Sequence, residues 1–296
     1  MRQFKKILDK NDLKVNKYTV KGKAMIVDTP LGQFVLKKGN NNKIYKYLSS
    51  RNFEYFPKLI DSDEEETIYE YIEDINYDDS QRAFDIIHVI ALLHSKTTYY
   101  KEVDYDEYKT IYEETINKID YIYNYYLDII NVIESKIYMS PSEYLIARNI
   151  SKIFSCIYFC KNEMESWYEL VKNKKRKRVV TLHNNLKLDN LIKNKQTFLI
   201  SWDKSKIDMP IYDIVNFYNR YALNFDFKGL LSEYERIFPL LEDEKKLLGV
   251  LISIPEKITN TKSEYEMVKS VRHLLDKIYK TEILLTPEEE EKTKST

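Results

Sequence analysis

The period of the hydrophobic pattern changes near residue 75, and that change divides the chain. Before it, apolar positions come in short runs broken by turn residues. Lys17–Asp28 and Gln33–Lys37 flank the turn Thr29-Pro30-Leu31-Gly32, which predicts a hairpin returning to a lysine. Asn41–Ser50 reads as a helix, Asp61–Glu66 as an acidic, solvated hairpin loop, and Thr67–Asp74 as a strand by its alternation. The boundary falls at Tyr71–Asn76.

Beyond it the period is 3.6. Ser80 is the expected N-cap of a core helix carrying Ala83, Phe84, Ile87, Ile90, Ala91 and His94 at helical spacing. Tyr108–Lys136 is a tyrosine-rich amphipathic stretch, and Ser142–Val171 a long helix opened by Ser140-Pro141. Val179–Leu182 reads as a short buried strand, followed by helices over Ile211–Leu223 and within Lys228–Leu285. The pattern gives three segments: 1–74 (strands plus one helix), 75–286 (helical), and 287–296, an expected disordered tail.

Composition narrows the function. The 47 basic and 47 acidic residues cancel, so no global field recruits nucleic acid or an anionic membrane. The run Lys172–Arg178 is the one basic cluster; it reads as a solvated helix end complementing the helix dipole, with weak, salt-sensitive anion binding as the alternative. Cys156 and Cys160 read as small core residues, because two ligands do not make a zinc site. The charged N-terminus and the lack of a spanning apolar run predict a cytoplasmic protein with no transmembrane segment.

The chemistry concentrates after Leu182. L-H-N-N-L-K-L-D-N-L-I (182–192) delivers His183, Asn185 and Asn190 at the spacing H-x-D-x-x-x-x-N of a kinase catalytic loop, with Asn185 at the Asp position. The segment resembles the H-G-D-x-x-x-x-N loop of the aminoglycoside phosphotransferase and choline kinase superfamily, and is most similar to its spore coat (CotS-like) branch. F-L-I-S-W-D-K-S-K-I-D-M-P-I-Y-D-I (198–214) resembles that branch's metal-binding segment, with Ser201 at the position of the metal-ligating Asp and later carboxylates at Asp203 and Asp213.

The resemblance implies a two-lobed, protein kinase-like α+β fold: a small, mainly antiparallel β N-lobe and a larger helical C-lobe. It also implies ATP and Mg²⁺ as cofactors. Lys37 falls at the phosphate-contacting lysine, and Glu70 and Ile72 in the hinge where adenine would stack. Asn190, Ser201 and Asp203 fall at the metal, and His183 and Asn185 in the catalytic loop. Asp213 is expected to bond the catalytic loop, and a spore coat location is possible on the same ground.

Two substitutions oppose the implied chemistry. An amide at 185 cannot take a proton, and loss of a general base costs roughly 100- to 10,000-fold in rate. Ser201 offers magnesium a neutral hydroxyl where it prefers anionic oxygen. Asn41–Ser50 holds no acidic partner for Lys37, and the loop Tyr18–Ala24 holds one glycine, Gly22. A compensating role for Asp203 rests on its lying two residues beyond Ser201 on a strand, hence on the same face. The expectation is a catalytically impaired pseudokinase, binding nucleotide weakly if at all and acting on an unknown protein or small-molecule partner; nucleic acid is not expected. The alternative is an active ATP-dependent small-molecule phosphotransferase using Asp203.

Overall fold

The computed structural model describes residues 4–40, 42–259 and 263–286. Asn41 and the expected tail 287–296 lie outside these residues. In chain order the elements are α1 (Lys5–Lys10), β1 (Lys17–Lys21), β2 (Ala24–Thr29), β3 (Gly32–Lys38), α2 (Asn42–Ser50), β4 (Leu59–Ser62), β5 (Glu66–Glu70), α3 (Asp79–Thr97), β6 (Tyr99–Glu102), α4 (Tyr105–Glu134) and α5 (Pro141–Val171). They continue with β7 (Arg176–Leu182), β8 (Leu191–Lys193), β9 (Thr197–Leu199), β10 (Lys206–Asp208), α6 (Ile211–Tyr221), α7 (Phe227–Ile237), α8 (Glu242–Ser253) and α9 (Glu264–Leu285). A small antiparallel sheet precedes a larger helical region, as the sequence predicts, and 56% of the described residues are helical.

The chain forms two compact units. The first comprises residues 1–99, 179–213 and 230–239; the second comprises 100–178, 214–229 and 240–296.

In the first unit, five strands pair antiparallel in the order β1-β2-β3-β5-β4. Gly22, at φ +56°, opens the tight turn that sets Lys21 opposite Ala24. One face is sealed by α1: Val27, Leu36 and Ile68 pack against Phe4, Ile7 and Leu8. By strand alternation the opposite face carries Lys37, Val35 and Tyr69. The N-cap of α3 is Asp78 rather than Ser80: its carboxylate accepts from the Ser80 and Gln81 amides. The strand expected over Thr67–Asp74 ends at Glu70. Residues beyond it turn to a different partner, with Ile75 N donating to Lys193 O at 2.8 Å and Lys193 N to Asp74 Oδ1 at 2.8 Å.

The second unit is built on α4 and α5. A capping box starts α5: the Ser140 hydroxyl accepts from Glu143 N while the Glu143 carboxylate accepts from Ser140 N. Buried Ile146, Ile153, Ile157, Cys160, Met164, Trp167 and Val171 recur along α5 at helical spacing. Cys160 is buried, Cys156 partly so, and both are free thiols.

The basic run starts at a helix end, as expected, and then becomes a strand. Helix α5 ends at Val171 with Lys172 as its C-cap, residues 173–176 are exposed, and from Arg176 the run is strand β7. Its cations are paired: Lys174 with Asp243 at 2.9 Å, Lys177 with Glu107, and Arg178 with Glu244, whose side chain is 3% exposed. These three cations are thus neutralised locally by carboxylates.

Candidate functional site

Strand β7 ends at Leu182, paired with Lys206 of β10, and hands the chain to the catalytic-loop segment. The loop's entry is held by Asp213, in the first turn of α6 and 0% exposed. Its Oδ2 accepts from His183 N at 2.8 Å and its Oδ1 from Asn184 N at 2.7 Å. His94, also fully buried, bridges Asp213 Oδ2 (3.3 Å) and the Tyr234 hydroxyl (2.7 Å). A buried carboxylate persists only when its lone pairs are met, and here they are met largely by backbone. The loop conformation and the carboxylate therefore require each other. Asn184 takes a left-handed conformation at φ +56°, which Asn tolerates better than most residues, and its side-chain amide donates to Lys204 O at 3.1 Å.

His183 is a structural neighbour of the site. Its Nε2 donates to the Ile200 carbonyl at 2.9 Å, its ring meets Trp202 edge-on at 4.7 Å, and the ring is fully buried. Nδ1 has no hydrogen-bond partner. Desolvation lowers the pKa of the ring, opposed by the charge of Asp213.

At the loop's far end, Asn190 closes a 3-10 turn over Leu188–Asn190. Its Nδ2 donates to the Asn185 carbonyl at 2.7 Å, and its own carbonyl accepts from Ile200 N at 2.9 Å. The amide nitrogen is thus committed, leaving Oδ1 as the acceptor end. Asn185 is half-buried.

Ser201 follows Leu199 and Ile200 in a left-handed conformation, φ +68°, unusual for serine. The next three residues, Trp202–Lys204, form a 3-10 turn and not the strand expected. The period-two argument that placed Asp203 on the face of Ser201 therefore fails, because successive residues rotate through about a third of a turn in a 3-10 segment. Asp203 still bears on the site: it is exposed, and its charge acts on Lys37, Tyr45 and His183.

Lys37 Nζ lies 3.5 Å from Ser201 Oγ. Burial lowers the Lys37 pKa, and Asp203 opposes that shift. Helix α2 supplies no carboxylate; facing inward from it is Tyr45, 5% exposed. Its ring packs on Phe56 (4.7 Å) and Tyr69 (5.6 Å), and its hydroxyl bonds Tyr69. Burial pushes the Tyr45 hydroxyl up, with Tyr69 and then Asp203 adding to the shift. Tyr45 was missed from sequence; its three-residue spacing from Leu48 marks the inward face of α2 but not its neighbours.

Glu70 ends β5 with its carboxylate accepting from Lys58 N at 2.7 Å, and Ile72 is half-buried just beyond. Trp202 is core, packed on Phe53 at 6.0 Å; Met25 packs beneath α1, and Tyr18 is 49% exposed.

The donor set does not fit a magnesium site of the kinase kind. That ion needs hard, anionic oxygens in octahedral array. Here Asp203 is the one carboxylate among Asn190, Ser201 and Asp203, and the Ser201 oxygen already faces an ammonium. Among the described residues no group of three or more His, Cys, Asp or Glu side chains is placed to hold a metal.

The fold is the aminoglycoside phosphotransferase, kinase-like fold. The chain is similar to the crystal structure of an aminoglycoside phosphotransferase from Alicyclobacillus acidocaldarius, with TM-score 0.66 and 9% identity over 91% of each chain. It is also similar to spectinomycin phosphotransferase APH(9)-Ia in its AMP-bound complex, with TM-score 0.55 and 12% identity over 97% of this chain and 98% of that one. The same enzyme with ADP and spectinomycin gives TM-score 0.50. No protein family model and no curated protein matches the sequence. No helix among the described residues is long and apolar enough to cross a membrane.

Proposed function

We propose that this chain is a catalytically impaired phosphotransferase-fold protein with a binding or scaffolding role, standing nearest the spore coat (CotS-like) branch by its two motifs. The observation that carries this reading is the pairing of an intact loop scaffold, anchored by Asp213, with Asn185 and Ser201 at its reacting positions. In it residues 1–74 form the N-lobe and 75–286 the helical C-lobe with the catalytic-loop-like segment 182–192 and the metal-site-like segment 198–214, within the cytoplasm. ATP binds weakly, through Lys37, Glu70 and Ile72.

The reading is tested by assaying ATP hydrolysis and transfer with Mg²⁺ or Mn²⁺. The wild-type chain is expected to show no turnover, and the double variant Asn185→Asp/Ser201→Asp to gain metal-dependent hydrolysis on the retained scaffold.

A second reading, an active small-molecule phosphotransferase, is favoured by one feature: the Asp203 charge bears on Lys37. Wild-type turnover abolished by Asp203→Ala would establish it and end the first.

A further inference from the structure

A second cation shares the face of the sheet that carries Lys37. Residues paired directly across strands point to the same side, and the ladder Lys21, Ala24, Lys37, Thr67 runs across β1, β2, β3 and β5 in register. The other side is filled by α1 through Val27, Leu36 and Ile68, so Lys21 and Lys37 point away from it together. Only the methyl of Ala24 stands between them. Strands lie about 4.8 Å apart, so the two lysine backbones are separated by roughly 10 Å, and flexible four-carbon stems can converge on one anion from that distance. Lys21 ends β1 at the Gly22 turn and is exposed.

The turn is poor in what usually cradles phosphates. A backbone cradle needs several glycines, and Gly22 is alone between Tyr18 and Ala24. The adjoining site also lacks the anionic oxygens for a divalent ion. Two ammonium groups on one face supply positive charge by another route.

We propose that Lys21 and Lys37 together take the place of the missing metal, so that this face binds the phosphates of a nucleoside triphosphate without a divalent ion. The inference rests on the reading that the metal site is lost, and deepens it by assigning Lys21 a role that no motif suggests. It also changes the sign of Asp203's contribution. At a metal site Asp203 is a ligand and helps the phosphates bind. At a two-lysine site it is a negative neighbour that weakens them.

The test is calorimetric titration of the full chain with ATP, once in EDTA and once in excess MgCl₂, with phosphoryl transfer and ADP formation assayed on the same preparations. The expected result is affinity in EDTA within about twofold of that in magnesium. Lys21→Ala should weaken it about five- to tenfold, the loss of one partly exposed charge-assisted contact. Lys14→Ala, which removes an exposed lysine elsewhere, should change it less than twofold, and Asp203→Asn should tighten it. The proposal is overturned by a tenfold or larger requirement for magnesium, by weakening in Asp203→Asn, by equal effects of Lys21→Ala and Lys14→Ala, or by no ATP binding in either buffer. Turnover in magnesium would sink both the impaired-enzyme reading and the premise of a missing metal. Absence of both binding and turnover would sink this inference alone.

Discussion

The two ends of the catalytic-loop segment have opposite characters. At His183–Asn184 every feature serves fixation: two backbone amides on a buried carboxylate, a buried histidine behind that carboxylate, and a second buried ring on a backbone carbonyl. At Asn185, Asn190 and Ser201 the groups that would do chemistry are neutral; Lys37 lies 3.5 Å from Ser201, and the exposed Asp203 acts on Lys37. The scaffold persists because the fold depends on it: unpairing Asp213 would strand a charge in the core. The half-buried side chains at 185 and 201 carry less of that fixation, so they can differ while the loop keeps its form. Ser201 itself holds a left-handed backbone, φ +68°.

The comparison can be broken most forcefully at its fixed end. Asp213→Ala should cost about 3–5 kcal/mol of unfolding free energy, since it leaves buried donors unsatisfied; denaturant titration would measure it, and a loss below about 1 kcal/mol would mean the anchor is dispensable. The next effect is in pH. The folded pKa of His183 lies below its ordinary 6.5, so the unfolded chain takes up this proton first. Its contribution is therefore present above pH 6.5 and is lost as pH falls below it, at no more than about 1.4 kcal/mol per pH unit. Melting curves from pH 8 to 5 should show a steeper decline for wild type than for His183→Gln.

At the reacting end the effects on stability are smaller. Lys37→Met should be neutral or stabilising by about 0.5–1 kcal/mol, because burial disfavours the ammonium; a clear destabilisation would show that its contact with Ser201 holds the sheet to the loop. Asn185→Asp should change stability by under about 0.5 kcal/mol, since the side chain is half-buried and the loop is fixed through the residue's backbone carbonyl.

Much of the site was readable from residue order. The H-x-N-x-x-x-x-N spacing, the second motif and the role of Asp213 all lie in short stretches whose geometry is local or set by a single buried charge. What local reading missed shares a cause. Asp203 was assigned to a strand by a period-two rule, but the left-handed Ser201 starts a 3-10 turn there. The carboxylate partners of Lys172–Arg178 could not be read from it, because nothing local reveals that Glu107, Asp243 and Glu244 converge on it from elsewhere in the chain.

What the sequence determined alone is the change of period near residue 75, the antiparallel sheet before it, the helices after it, and the two neutral residues at 185 and 201, because these follow from local hydrophobic repeats and from the identity of single side chains. The tertiary structure alone decided which charges face one another. It set Lys37 against Ser201, gave α2 a tyrosine for its inward face, paired the basic run, and brought Lys21 onto the face of Lys37. Strand register and long-range packing fix such neighbours, and neither is written in any short window of residues.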